Sequence, residues 1–203
     1  AVISTLPINI ILLGDPAAGK ATQAQLLIKK YKLFDLDMGK ELNKLREQSE
    51  EVERILNGST DKGKLTPTKI VRQIFSDIIA SVPSTQGILF DGTPKMLGEA
   101  KHVVRLLKQY GRTKSIFIYL HIPLEETVKR MQGRKGYYAG KFGKRADDTS
   151  EALKNRVRYY RRNVSAVVKY FSEKFPFKKI SGMGNKAQVH RDILNALHEL
   201  STD

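Results

Sequence analysis

The sequence predicts an α/β protein built on a mostly parallel sheet with helices on both faces. Short apolar runs alternate with longer segments of helical periodicity, which implies crossover connections. Two of those runs, "INIILL" (Ile8–Leu13) and "SIFIYLHI" (Ser115–Ile122), are apolar nearly throughout, as strands covered on both faces are. The length, 203 residues, suits one domain with small insertions, and no repeats appear.

In chain order, Ile8–Leu13 is a buried strand ending at glycine, and Gly19–Tyr31 carries its apolar residues on one helical face. Leu33–Asp37 (LFDLD) is a short second strand. Met38–Leu56 is charged throughout, with Leu42, Leu45, Val52, Ile55 and Leu56 as an apolar stripe, and reads as one exposed helix. Asn57–Pro67 is rich in turn residues, and Pro67 opens a helix that runs to Ala80. Gly87–Gly92 (GILFDG) is a strand ending in aspartate, Leu97–Tyr110 a helix, Ser115–Ile122 a strand, and Pro123–Met131 the start of another helix. Gly133–Lys144 (GRKGYYAGKFGK) is Gly-rich and basic. Beyond it, Asp148 with Glu151 three residues later has capping-box spacing, and the helix it opens runs to about Lys174. Within that helix, Tyr159–Arg162 reads as a packed and solvated face rather than a nucleic-acid site. Phe177–Ile180 (FKKI) is a short strand, and Ala187–Leu200 a closing helix.

Composition narrows the classes of function. Hydrophobic residues make up 40% of the chain, and no apolar run approaches the ~20 residues that span a bilayer. Ala1–Ile8 has no basic region ahead of an apolar stretch, so no signal peptide is expected. With no cysteine, disulfides and thiolate zinc sites are excluded, and a reducing cytoplasm is the natural setting. Lys and Arg number 36 against 21 Asp and Glu, a net charge of +15 that concentrates anions near the surface. Nucleotides, nucleic acid and acidic membrane all fit that charge, as does a merely solvated set of helix faces.

The stretch "ILLGDPAAGKATQ" (Ile11–Gln23) gives the first chemical signal. Gly14, Gly19 and Lys20 have the spacing G-x-x-x-x-G-K, with a strand before and a helix after. Glycines let successive N–H groups converge into an anion nest, the helix adds its positive end, and Lys20 adds a point charge. Ala21 stands where Ser or Thr is usual, and Thr22 follows it. Gly14 and Asp91 both lie at the carboxyl ends of strands, where such sheets bind ligands.

"GDPAAGKATQ" resembles the phosphate loop of the adenylate kinase family, G-x-P-G-x-G-K-G-T-Q, with Ala17 and Ala21 in place of glycines. The resemblance continues in family order. "GKLTPTKIV" (Gly63–Val71) is similar to the edge of the acceptor site, and "GILFDGTPK" (Gly87–Lys95) to the "DGFPR" stretch. "RMQGR" (Arg130–Arg134) resembles the arginines before the lid; "RADD" (Arg145–Asp148), with Arg156 eleven residues after Arg145, resembles those after it.

The resemblance implies a P-loop NTPase-type three-layer sandwich with a helical NMP-binding insertion at 37–82 and a short lid at 133–145, around a core of 1–36, 83–132 and 146–203. It implies reversible transfer of the terminal phosphoryl of ATP to AMP, giving two ADP, with Mg2+. Donor binding would fall to Gly14, Asp15, Ala17, Ala18, Gly19, Lys20, Ala21 and Thr22, with Arg130 and Gly184 toward the base. Lys20, Lys95, Arg134, Arg145 and Arg156 would carry the catalytic charge, and Asp91 would orient the metal through water. Phosphoryl transfer asks for positioning and charge stabilisation, which planar guanidinium groups supply. The lid would exclude water; it is too short and lacks the ligands for a zinc-held β lid. Monomer is the family default.

The acceptor pocket departs from the family pattern. The implied acceptor residues are Met38, Gly39, Asn43, Lys44, Thr66, Gly92, Lys95 and Glu99. Met38 replaces the family threonine, and Asn43 the phosphate-binding arginine, with Lys44 one residue further. Lys95 replaces an arginine and loses its bidentate fork. Glu99 stands at the glutamine that reads adenine. An ionised carboxylate cannot donate, and guanine offers two donors, so GMP or another base is an alternative acceptor. A rival of a different class is a nucleotide-binding protein with weak kinase activity that holds RNA through Tyr137, Tyr138, Phe142 and the lysines around them.

Overall fold

The computed structural model describes residues 8–59, 68–133, 136–138, 141–143 and 149–202. The central sheet contains β1 (Asn9–Gly14), β2 (Phe34–Leu36), β3 (Ile88–Asp91), β4 (Ser115–His121) and β7 (Phe177–Ser181). Its order is β2-β3-β1-β4-β7, every neighbouring pair parallel. A separate antiparallel pair joins β5 (Gly136–Tyr138) to β6 (Lys141–Gly143). The helices are α1 (Lys20–Tyr31), α2 (Met38–Gln48), α3 (Glu50–Gly58), α4 (Thr68–Ser81), α5 (Leu97–Gln109), α6 (Leu124–Gly133), α7 (Ser150–Lys174) and α8 (Lys186–Ser201).

The period of two along each strand builds two cores. One face of the sheet presents Ile11, Leu13, Phe90, Phe117 and Tyr119 to α4, α5 and α7. The other presents Ile10, Leu12, Leu89, Ile118 and Leu120 to α1 and α8. Burial on both sides explains why β1 and β4 read as continuous apolar runs. Because β1 lies centrally, with β3 and β4 on its flanks, the chain leaves it at the point where the strand order reverses. The loop after β1 therefore opens into a crevice at the carboxyl edge of the sheet.

Two local expectations are corrected. The helix expected over Met38–Leu56 is two helices, broken at Ser49. Its backbone is extended, and its Oγ accepts the Val52 amide at 3.3 Å, capping α3. Glu50, Glu51 and Glu53 then occupy the positive first turn of α3, which favours starting a new helix there. The long helix is capped by Thr149, whose Oγ1 accepts the Ala152 amide at 3.2 Å, one residue beyond the expected Asp148. Asp148 itself lies outside the described residues. No helix among the described residues is long and apolar enough to cross a membrane.

Candidate functional site

The loop between β1 and α1 has the backbone its sequence demands. Gly19 is in the left-handed region at φ 91°. A Cβ on Gly14 would stand 3.0 Å from that of Leu120, so the strand pairing itself requires glycine there. The alanine substitutions separate here. A side chain is accommodated without strain only at negative φ, and Ala21 meets that condition inside α1. Ala17 does not: its φ is 63°. An L side chain in that region costs about 1 kcal/mol or more. Ala17→Gly is accordingly expected to stabilise the fold by about 1 kcal/mol, read from the urea midpoint at unchanged slope.

Lys20 opens α1 and reaches across to β3, with Nζ 2.7 Å from Asp91 Oδ1. The path passes over Gly92, where a Cβ would lie 2.8 Å from Nζ. Asp91 is buried, which raises its pKa despite the Lys20 charge; Asp35 and Asp37 add to the rise. Arg130 donates to the Ala17 carbonyl at 3.2 Å and to the Gly182 carbonyl at 3.0 Å, and pairs with Glu126 at 2.9 Å. It joins the loop to the segment after β7 that holds Gly184.

Beside the loop lies a cleft of about 370 Å³. Lys20, Met38, Gly39, Asp91, Gly92, Lys95 and Glu99 all line it, so residues up to 79 positions apart in sequence meet in one space. Its apolar walls include Leu42, Val71 and Met96. Glu99 is 5% exposed; burial raises its pKa, with Arg72 partly offsetting the rise. Lys95 is an exposed residue at the cleft, yet desolvation there, then the Lys20 charge, lower its pKa.

Asn43 and Lys44 do not line the cleft. Both are exposed on α2, and Lys44 pairs with Glu41 at 3.2 Å. Thr22 is exposed at the start of α1, and Ala18 is buried beneath the loop. Arg156 is half-buried on α7. Thr66, Arg134 and Arg145 lie outside the described residues. Among the described residues, no cluster of three or more His, Asp or Glu forms a metal site.

The sequence reading missed two sets of residues. Asp37, which caps α2 through the Lys40 amide at 3.1 Å, lines the cleft with Thr93 and Met96. The pattern of Ser, Thr, Asp or Asn before a helix was available to find that cap. Tyr160 and Arg161, read as part of a packed and solvated helix face, both reach the loop between β1 and α1. Tyr160 donates to the Gly14 carbonyl at 2.9 Å, and Arg161 holds Asp15. A buried aspartate calls for a countercharge, but no local pattern says which of 36 cations supplies it.

The sequence is similar to those of known proteins. The sequence profile of the adenylate kinase family matches residues 12–175. An adenylate kinase of Bacteroides thetaiotaomicron is 27% identical over 193 residues, covering 95% of this chain and all of that protein. One from Bacteroides fragilis is 28% identical over the same length. One from Parvibaculum lavamentivorans is 31% identical over 189 residues, 93% of this chain and 91% of that protein. A match that runs from within β1 to just past the end of α7 places this chain in the adenylate kinase family.

Proposed function

We propose that this chain, an ATP-dependent nucleoside monophosphate kinase by family, moves the terminal phosphoryl of ATP reversibly onto AMP, giving two ADP. The observation that carries this reading is the position of Lys20. It belongs to the anion-binding loop, yet its ammonium stands in the adjoining cleft, where a polyphosphate end and an acceptor phosphate would meet.

The loop from Gly14 to Thr22 would hold the donor phosphates by backbone amides and the start of α1. Lys20 would stabilise the charge of the moving group, with Lys95 facing it from the acceptor side. Arg156, and by resemblance Arg134 and Arg145, would add planar donors to that group. Arg130 and Gly184 frame the donor-base side. Residues 37–82 form the acceptor-binding insertion and 133–145 the lid in this reading.

Asp91 fits a magnesium ion of the kind that arrives with its nucleotide. Mg2+ keeps most of its waters and takes one or two carboxylates plus substrate phosphates, and Asp91 is one carboxylate at the loop's edge. When bound, the ion would neutralise charge between the donor phosphates.

An ionised carboxyl at Glu99 in the cleft would accept from the two donors of guanine, which makes GMP the second acceptor to test. Coupled ADP production with ATP and, separately, AMP, GMP, CMP and UMP tests the proposal. AMP-dependent turnover is the expected result. No ADP above background with any acceptor would overturn it.

A further inference from the structure

Asp15 is a buried carboxylate inside the loop proposed to bind phosphate, and it is 3% exposed. Such a charge should repel a polyphosphate unless it is cancelled. The structure cancels it from the rear. The Tyr119 hydroxyl donates to Oδ1 at 2.7 Å, and Arg161 Nε to the same oxygen at 3.1 Å. Oδ2 takes Arg161 Nη2 at 3.1 Å, the Ile122 amide at 3.1 Å and His121 Nδ1 at 2.7 Å. Burial alone would raise the Asp15 pKa. The donors from Arg161, Tyr119 and Ile122 outweigh it and hold the group below the ordinary aspartate value.

The same arginine ties down more than one group. Arg161 Nη2 also donates to the Ile122 carbonyl at 2.7 Å, and its neighbour Tyr160 donates to the Gly14 carbonyl at 2.9 Å. The first turn of the phosphate loop is thereby fixed to both the end of β4 and the middle of α7. Arg156 lies five residues earlier on α7, so the loop and that guanidinium share one support.

We propose that Arg161 is a positioning residue for phosphoryl transfer: it neutralises Asp15 and clamps the phosphate loop in register with α7. This rests on the donor-loop reading above. Without Arg161, Asp15 stays buried and unbalanced beside the donor phosphates, and the loop loses its tie to the helix. The bidentate fork makes lysine an imperfect substitute.

The test compares the wild type with Arg161→Ala, Arg161→Lys and the double variant Asp15→Ala/Arg161→Ala, using ATP and AMP in steady state. Arg161→Ala is expected to raise the KM for ATP about tenfold while the KM for AMP stays within about twofold. Arg161→Lys should recover part of the loss. The double variant should bind ATP better than Arg161→Ala, because no uncompensated charge remains.

The groups facing Asp15 are Tyr119 and His121 from β4 and Tyr160 and Arg161 from α7. In Arg161→Ala the ATP affinity should therefore improve as pH falls and Asp15 gains a proton, more steeply than in the wild type. If Arg161→Ala does not fold, Arg161→Lys carries the test by calorimetry with ATP and, separately, AMP: weaker ATP binding at unchanged AMP binding is the expected result, and wild-type affinity for ATP would overturn the proposal. Equal losses for ATP and AMP, strictly additive effects of the two substitutions, or a fall in melting midpoint alone would overturn the proposal. An inactive wild type would instead remove the donor-loop reading beneath it.

Discussion

Lys20→Ala is expected to lower kcat/KM for the ATP-dependent reaction by about a thousandfold, with ADP formation as the readout. The reasoning begins with position. Lys20 is the first residue of α1, where the positive end of the helix and the converging amides already favour an anion. Its side chain is 29% exposed, so its charge acts in a partly water-excluded space and is weakly screened. Its route over Gly92 is tight, since even one added carbon there would touch Nζ. A guanidinium is bulkier and planar, so Lys20→Arg should fail to restore the rate.

The same substitution carries a stability signature. Asp91 has a pKa already raised by burial, and removing Lys20 takes away its nearest cation. A carboxyl whose folded pKa is raised favours the fold below its unfolded value near 3.8 and loses that contribution as pH rises through the folded value. Lys20→Ala should therefore be less stable than the wild type at neutral pH, and the deficit should shrink as pH falls toward that value. Urea midpoints across pH check the sign. Retention of more than about a tenth of the wild-type rate would place the moving phosphoryl elsewhere.

Much of the architecture was legible because it depends on short-range patterns. β1 and β4 are buried on both faces, so their sequences carry no polar alternation to confuse the reading. The turn from β1 into α1 was legible because strand, glycines, lysine and helix are contiguous. The break at Ser49 was hidden by an apolar stripe that continues across it: Leu42 and Leu56 pack into the same core from two different helices. The strain at Ala17 was invisible because the sequence names the residue but not its φ. The pairing of Asp15 with Arg161 spans 146 residues, and only the packing of α7 against the end of β4 brings the two together. The candidate site was thus readable where one segment makes it and unreadable where two distant segments share it.

Glu99 is the residue at which sequence and structure together say more than either alone. Its carboxyl is buried in the cleft among Leu42, Val71, Met38 and Met96, and that burial raises its pKa against the partial relief from Arg72. A neutral carboxyl both accepts and donates, as a carboxamide does, and so can meet the amino donor and ring-nitrogen acceptor of adenine. The ionised form only accepts, and suits the two donors of guanine. The wild-type preference for AMP over GMP is therefore expected to fall as pH rises above the ordinary glutamate value of 4.5. Glu99→Gln should hold the AMP preference flat across pH and raise it about thirtyfold at neutral pH, since one mismatched buried hydrogen bond costs ~2 kcal/mol. The stability sign is independent of any nucleotide. A raised carboxyl pKa means that wild-type stability is lost as pH climbs past 4.5, so the gain on Glu99→Gln should grow over the same interval. Specificity constants for AMP and GMP, with urea midpoints on both proteins, separate the two effects. A pH-dependent stability gain with an unmoved AMP-to-GMP ratio would mean that the carboxyl is buried as described but the base sits away from it.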